Sequence, residues 1–117
     1  MAYHSFENLE VWKKSCRIAV RIYEIMKDVK DYGLRDQMTR AAVSIASNIA
    51  EGAERDSKAE FIRFLHIAKG SAAELRTQLY IGSKIGVIAQ SDEEDLVDEL
   101  KALSGMLHAL IKQQKKE

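Results

Sequence analysis

No proline occurs in the 117 residues. Turns recruit proline and helix interiors reject it, so its absence points to long uninterrupted helices and away from a loop-rich or all-β fold. Cysteine is scarce as well. Cys16 alone rules out an internal disulfide framework and a cysteine-based zinc site. Excess charge of either sign is missing, because 18 lysines and arginines balance 18 aspartates and glutamates. A dedicated nucleic-acid binder usually carries net basic charge. Binding of that kind would need a local patch here, or an assembly that concentrates one. No run of about 18 apolar residues is present, which excludes a helical membrane span. The opening Met1-Ala2-Tyr3-His4-Ser5-Phe6-Glu7 lacks the basic and apolar regions of a signal peptide, and a lone thiol suits a reducing compartment. A cytoplasmic location is expected.

What is present is 46% apolar and 31% charged residues, a balance that supports one folded domain over 1–117 rather than a disordered chain. Four periodic segments are legible, at about 8–29, 33–51, 58–84 and 92–113. In the first, Leu9, Trp12, Cys16, Ala19, Tyr23 and Met26 recur at helical steps, and Val20 widens the stripe. The second carries a heptad seam, Leu34, Met38, Ala41, Ile45, Asn48 and Gly52, with Gly52 expected as a left-handed C-cap. The third opens on the capping box Ser57-Lys58-Ala59-Glu60. It carries two stripes. One is Phe61, Leu65, Ala68, Ala72, Leu75 and Leu79, and the other is Phe64, Ile67, Ser71, Glu74, Gln78 and Ile81. Gly82 and Gly86 are its stop signals. The fourth starts from a second capping box, Ser91 to Glu94, and runs through Leu96, Leu100, Leu103, Leu107 and Leu110. Short connections force sequential helices antiparallel, so the expected fold is all-α, an antiparallel up-down-up-down four-helix bundle.

Bundles often hold metals, but the Glu-x-x-His pairs of di-iron carboxylate sites do not occur, and His4, His66 and His108 are far apart. No phosphate-binding glycine loop is present. Neither a metal nor another cofactor is expected. His66 is expected to be a partly buried structural residue, and Cys16 a buried inert thiol. No enzyme signature is found.

The informative residues are polar groups where the pattern calls for apolar ones. Folding the second and third helices about Glu54 and Arg55 places Ser44 near Leu65 and His66, and brings Gln37, Arg40, Ser71 and Glu74 to one level. An Arg40–Glu74 salt bridge is expected there. Asn48, Glu51 and Arg55 form a second cluster at the bundle end. One reading of this network is structural, fixing helix register at a cost in stability. The other is a ligand or catalytic site in the first cluster and surface recognition in the second.

The same residues carry a family resemblance. Phe6-x-x-Leu9-x-Val11-Trp12 resembles the opening of the small proteins encoded in intervening sequences of bacterial large-subunit ribosomal RNA genes. Gln37-Met38-x-Arg40-Ala41-Ala42-x-Ser44-Ile45-x-x-Asn48-Ile49-Ala50-Glu51-Gly52 resembles that family's most specific motif. Arg55 and Phe64-Leu65-x-Ile67-Ala68-x-Gly70-Ser71-x-x-Glu74-Leu75 continue it, and the similarity runs from Phe6 to about Leu110. The resemblance implies an antiparallel four-helix bundle that assembles as a homopentamer. More distantly similar are the accessory proteins of diversity-generating retroelements, basic pentamers that bind nucleic acid and a reverse transcriptase. RNA binding by the intervening-sequence branch is an expectation from genomic context, and its biochemical role is unknown.

Any nucleic-acid patch on this chain would lie on the first helix, where Lys13, Lys14, Arg17 and Arg21 cluster. Repeated around a ring, those cations would meet many phosphates with strong salt dependence. Tyr3, Phe6 and Trp12 would be available for stacking, or for packing between subunits. Three readings stand. The first is a non-enzymatic self-associating bundle that binds RNA or DNA. The second is a scaffold whose partner is a protein encoded nearby. The third is an enzyme using Gln37, Arg40 and Glu74.

Overall fold

The computed structural model describes residues 5–116. Among them the fold is all-α, with four α-helices and no strand: α1 Glu10–Met26, α2 Tyr32–Ala53, α3 Lys58–Lys84 and α4 Gln90–Lys116. A single 3-10 turn, Phe6–Asn8, precedes α1. The helices pack in a cycle, α1 on α2, α2 on α3, α3 on α4 and α4 back on α1, as the helices of a bundle do. The molecule is elongated, 50 × 20 × 19 Å.

The helix starts follow local chemistry. Asp31 caps α2 by accepting from the Leu34 amide at 3.1 Å, and Ser57 caps α3 by accepting from the Glu60 amide at 3.2 Å. The Glu60 side chain turns to Arg63, accepting from it at 3.0 and 3.2 Å. α4 starts at Gln90, so Ser91 lies inside its first turn rather than capping it. That earlier start follows from the end of α3. Gly86 takes φ +84°, the backbone returns so that the Ile88 amide donates to the Gly82 carbonyl at 3.1 Å, and the buried Ile88 side chain lands on Gly82.

The core contains Ile22, Met26, Met38, Ile45, Ile49, Leu65, Leu75, Leu79, Leu100, Leu103 and Leu107, all fully buried. The stripes expected on α2 and α4 and the first stripe on α3 contribute to it. The expectation for α1 needs correcting. Its buried face is Val11, Ser15, Ile18, Ile22 and Met26, one position back from the stripe through Trp12, Cys16, Ala19 and Tyr23. α1 is apolar over two adjacent stripes, and periodicity alone does not say which one faces inward. Ser15 is tolerated in the core because its hydroxyl donates to the Val11 carbonyl at 2.6 Å.

Gly52 also plays a different part from the one expected. It lies inside α2 with no positive φ. A Cβ there would stand 2.5 Å from Phe64 Cβ and 3.3 Å from Phe64 Cγ. Glycine is needed for the close approach of α2 to α3, not for backbone conformation.

Candidate interaction surface

The displaced α1 stripe meets α2 to form an open apolar groove. Trp12, Cys16, Ala19, Val20 and Tyr23 line one wall, and Val43, Ala46 and Ala50 line the other. Phe6 closes one end, packed edge-on against Trp12 with ring centroids 5.2 Å apart. The Tyr23 end carries Lys27 and Glu24, and Arg40 and Asp36 adjoin it. Val20 and Tyr23 are 59% and 54% exposed, and Val43 is exposed as well. Contiguous apolar surface of this kind on a small protein marks an interaction site, because leaving it in water forgoes the hydrophobic gain of covering it. Cys16 sits in this wall half-buried rather than in the core. Desolvation pushes its thiol pKa up, against a smaller opposing effect of Arg17, which disfavours the reactive thiolate.

The polar band between α2 and α3 is rearranged relative to the expectation. Ser44 Oγ pairs with Ser71 Oγ at 3.1 Å, and Asn48 Nδ2 donates to the Ser44 carbonyl at 2.8 Å and hydroxyl at 2.9 Å. Ser44 therefore faces Ser71 rather than Leu65 and His66, a shift of more than one helical turn along α3. The cause is the close approach of Gly52 to Phe64, together with an α2 that runs on to Ala53. These move the fold point from Glu54 and Arg55 to about Ser57. Gln37, Arg40 and Glu74 all point into solvent. No ion pair joins Arg40 to Glu74 among the described residues. Arg40→Ala is therefore expected to change unfolding free energy by less than about 0.5 kcal/mol in chemical denaturation, the behaviour of an exposed side chain without partners. A loss of several kcal/mol would restore the buried pair.

At the bundle end, Arg55 bonds Glu51 at 3.3 Å, as the sequence clusters them, but Asn48 belongs to the serine network instead. Arg55 and Arg63 both lie over the ring of the buried Phe64, at 5.1 and 4.6 Å from its centroid. Glu60 reaches both, at 4.0 Å from Arg55 and 3.0 Å from Arg63. The Arg63 hydrogen bond holds the Glu60 carboxyl below the usual glutamate range. These contacts cap the Phe64 ring and bind the turn between α2 and α3.

The four cations of α1 do not share one environment. Lys13 pairs with Glu10 at 3.2 Å, Lys14 with Glu99 of α4, and Arg21 with Asp92 of α4 at 3.1 Å. Arg17 is exposed and has no carboxylate within 4.0 Å among the described residues. The acids of α4, spread along the sequence at Asp92 and Glu99, gave no sign before folding that they would meet the basic face of α1. Of the three candidate stacking residues, Phe6 and Trp12 close the groove and Tyr3 lies outside the described residues.

No group of three or more histidine, cysteine, aspartate or glutamate side chains able to hold a metal is present among the described residues. His66 is exposed rather than partly buried, and His108 is exposed too. No helix of the described residues is long and apolar enough to cross a membrane. The α2 side of the groove was missed in the sequence. Val43, Ala46 and Ala50 do recur at helical steps beside the heptad seam, and that second stripe is the signal that could have revealed it.

Fold and surface together define a small helical protein with an open apolar groove between α1 and α2. The chain belongs to the 23S rRNA-intervening sequence protein family, whose profile matches residues 7–109. Among solved structures it is similar to a protein of unknown function from the S23 ribosomal protein family of Bacteroides thetaiotaomicron. The two are 29% identical with a TM-score of 0.82, over 87% of this chain and 98% of that one. Among curated proteins no match is found. Neither the family description nor the neighbour's names a catalytic activity.

Proposed function

We propose that this protein is a non-enzymatic, self-associating helical bundle that acts in the cytoplasm as an assembled scaffold, with the α1/α2 groove as its association surface. The exposed Val20, Tyr23 and Val43 carry this reading, since together they leave apolar surface that a second protein surface would remove from water. A homopentamer is the assembly that the family resemblance implies. An antiparallel up-down-up-down order is supported by the ion pairs Lys14–Glu99 and Arg21–Asp92, in which residue numbers rise along α1 as they fall along α4. The short links between helices favour the same order. A lone thiol and the lack of an apolar spanning helix among the described residues support the location. Static light scattering behind a sizing column tests the reading. The wild type is expected to run as a multiple of 13.2 kDa and Val20→Glu as a monomer. A monomeric wild type at about 100 μM, a concentration at which an interface worth 8 kcal/mol is nearly saturated, would sink it.

Nucleic-acid binding by the assembly is a second reading, and exposed Arg17 favours it. With Lys13, which is held only by its neighbour Glu10, it would offer exposed cations to phosphate around a ring. The family's description as 23S rRNA-intervening sequence proteins points the same way. Fluorescence anisotropy with single-stranded RNA and duplex DNA at about 50 and 200 mM salt tests it, because phosphate contacts lose much of their affinity across that range. Binding is expected to fall steeply with salt and to vanish in Lys13→Glu/Arg17→Glu, a variant that leaves the Lys14–Glu99 and Arg21–Asp92 pairs intact. No binding at the lower salt by folded, assembled protein would leave the scaffold reading, with a protein encoded nearby as its partner.

A further inference from the structure

The groove is not the only apolar surface left in water. α3 exposes Ile67 and, at 49%, Ile81, and Ile85 just past its end is 57% exposed. Ile67, Glu74 and Ile81 are spaced by sevens, so they form one narrow line along the helix, and Ile85 continues it a turn further on. This line is the outer part of the second α3 stripe. Its inner members Phe64 and Gln78 are buried, and Ser71 is held by Ser44, while the isoleucines are left outside.

The two surfaces differ in shape and lie apart. One is a trough between two helices, and the other is a row along the outside of α3 whose Ile81 end adjoins Gln90 and Glu93 of α4. The exposed outer edge of α2, where Ser47 borders the groove and Arg40 and Glu51 are exposed, lies between them. Two troughs placed face to face about a two-fold axis would not interpenetrate, and the isoleucine row would stay in water. A row seated in a trough covers both with one contact, the ridge-into-groove packing that helices use inside proteins. The lengths agree. Trp12 to Tyr23 spans about 17 Å of α1 and Ile67 to Ile81 about 21 Å of α3 at 1.5 Å per residue. The row carries a single charge, Glu74, which is exposed and has no ion pair among the described residues. At the Tyr23 end of the trough, Lys27 and Arg40 likewise have no ion pair among those residues, and they stand beside Glu24 and Asp36.

We propose that the α1/α2 groove of one copy receives the Ile67–Ile81–Ile85 ridge of α3 from another copy, so that copies join head to tail rather than about a two-fold axis. This rests on the self-association proposed above and names the two faces that meet. A head-to-tail contact leaves a free groove at one end and a free ridge at the other, and it ends only by closing into a ring or by growing into a filament.

Complementation between two defective variants is the test. Val20→Glu spoils the groove and keeps the ridge, while Ile81→Glu spoils the ridge and keeps the groove. Each alone is expected to be monomeric by light scattering, with helicity unchanged by circular dichroism because both side chains are exposed. Mixed in equal amounts, they are expected to double in mass to a heterodimer and go no further, because one intact groove meets one intact ridge. A two-fold contact predicts no gain on mixing. Monomers that stay monomers in the mixture, or an Ile81→Glu protein that assembles like the wild type, overturn the assignment of faces while leaving self-association standing. A monomeric wild type removes self-association itself. Should either variant lose helicity, Tyr23→Lys and Ile85→Glu form a second pair with the same expected outcomes.

Discussion

Gly52→Ala is expected to lower the unfolding free energy by about 2 kcal/mol, with a fall in melting temperature of about 8 °C for a chain this size. The added Cβ would meet Phe64 Cβ at 2.5 Å. That atom is one bond from the α3 backbone, so it cannot rotate away, and α2 and α3 must move apart. A contact this short lies at the upper end of the usual cost of overpacking, about 3 kcal/mol, and the better helix propensity of alanine returns about 1 kcal/mol of it. Gly82 provides the control. A Cβ there meets first the terminal Cδ1 of Ile88, which a rotamer change can withdraw. Gly82→Ala is therefore expected to cost less than Gly52→Ala. Equal stability of Gly52→Ala and the wild type in urea denaturation would show that the two helices do not approach so closely. The Gly52 variant should also weaken the Ser44–Ser71 bond, because the same approach sets the register of both contacts.

The second large effect separates two neighbours in the chain. Ile22→Ala is expected to cost about 3 kcal/mol, since Ile22 is wholly enclosed in the core and its removal leaves a cavity. Tyr23→Ala is expected to stay within about 0.5 kcal/mol when stability is measured dilute enough for the protein to be monomeric, because Tyr23 stands over half exposed. Under assembling conditions the order changes. Tyr23→Ala should weaken association, while Ile22→Ala should act only through the stability of the fold. The opposite result in dilute solution would return Trp12, Cys16 and Tyr23 to the core and abolish the groove.

Much of the architecture was legible. Leu96, Leu100, Leu103 and Leu107 repeat at 4-3-4 spacing with charged residues between them, so only one face of α4 could be buried, and that face is the one found inside. Met38, Ala41 and Ile45 of α2 behave alike. Ser57 capped α3 as its spacing required. α1 was not legible in this way. Val11, Ile18 and Ile22 and the row Trp12, Ala19 and Tyr23 lie on adjacent stripes of similar apolarity, and a helical wheel does not rank them. The polar network was legible only as a set of residues. Ser44, Asn48 and Ser71 come together, although the sequence reading placed Ser71 beside Arg40 and Glu74, and Asn48 beside Glu51 and Arg55. Arg40 and Glu74 do not, because their placement depended on a register that a turn of unknown length left free.

The sequence by itself determined the number of helices, their approximate limits and the inward face of two of them, α2 and α4, because each of these follows from local propensity, capping and periodicity within one segment. It also determined the family, through motifs held in order along almost the whole chain. Only the tertiary structure decided the register of α2 against α3, which turns on the fit of a missing side chain at Gly52 against Phe64. It also decided that the cations Lys14 and Arg21 are partnered by α4. The same holds for which stripe of α1 and of α3 would be left facing water. A helix with two apolar stripes has more than one way to bury itself, and the choice between them is made by its neighbours.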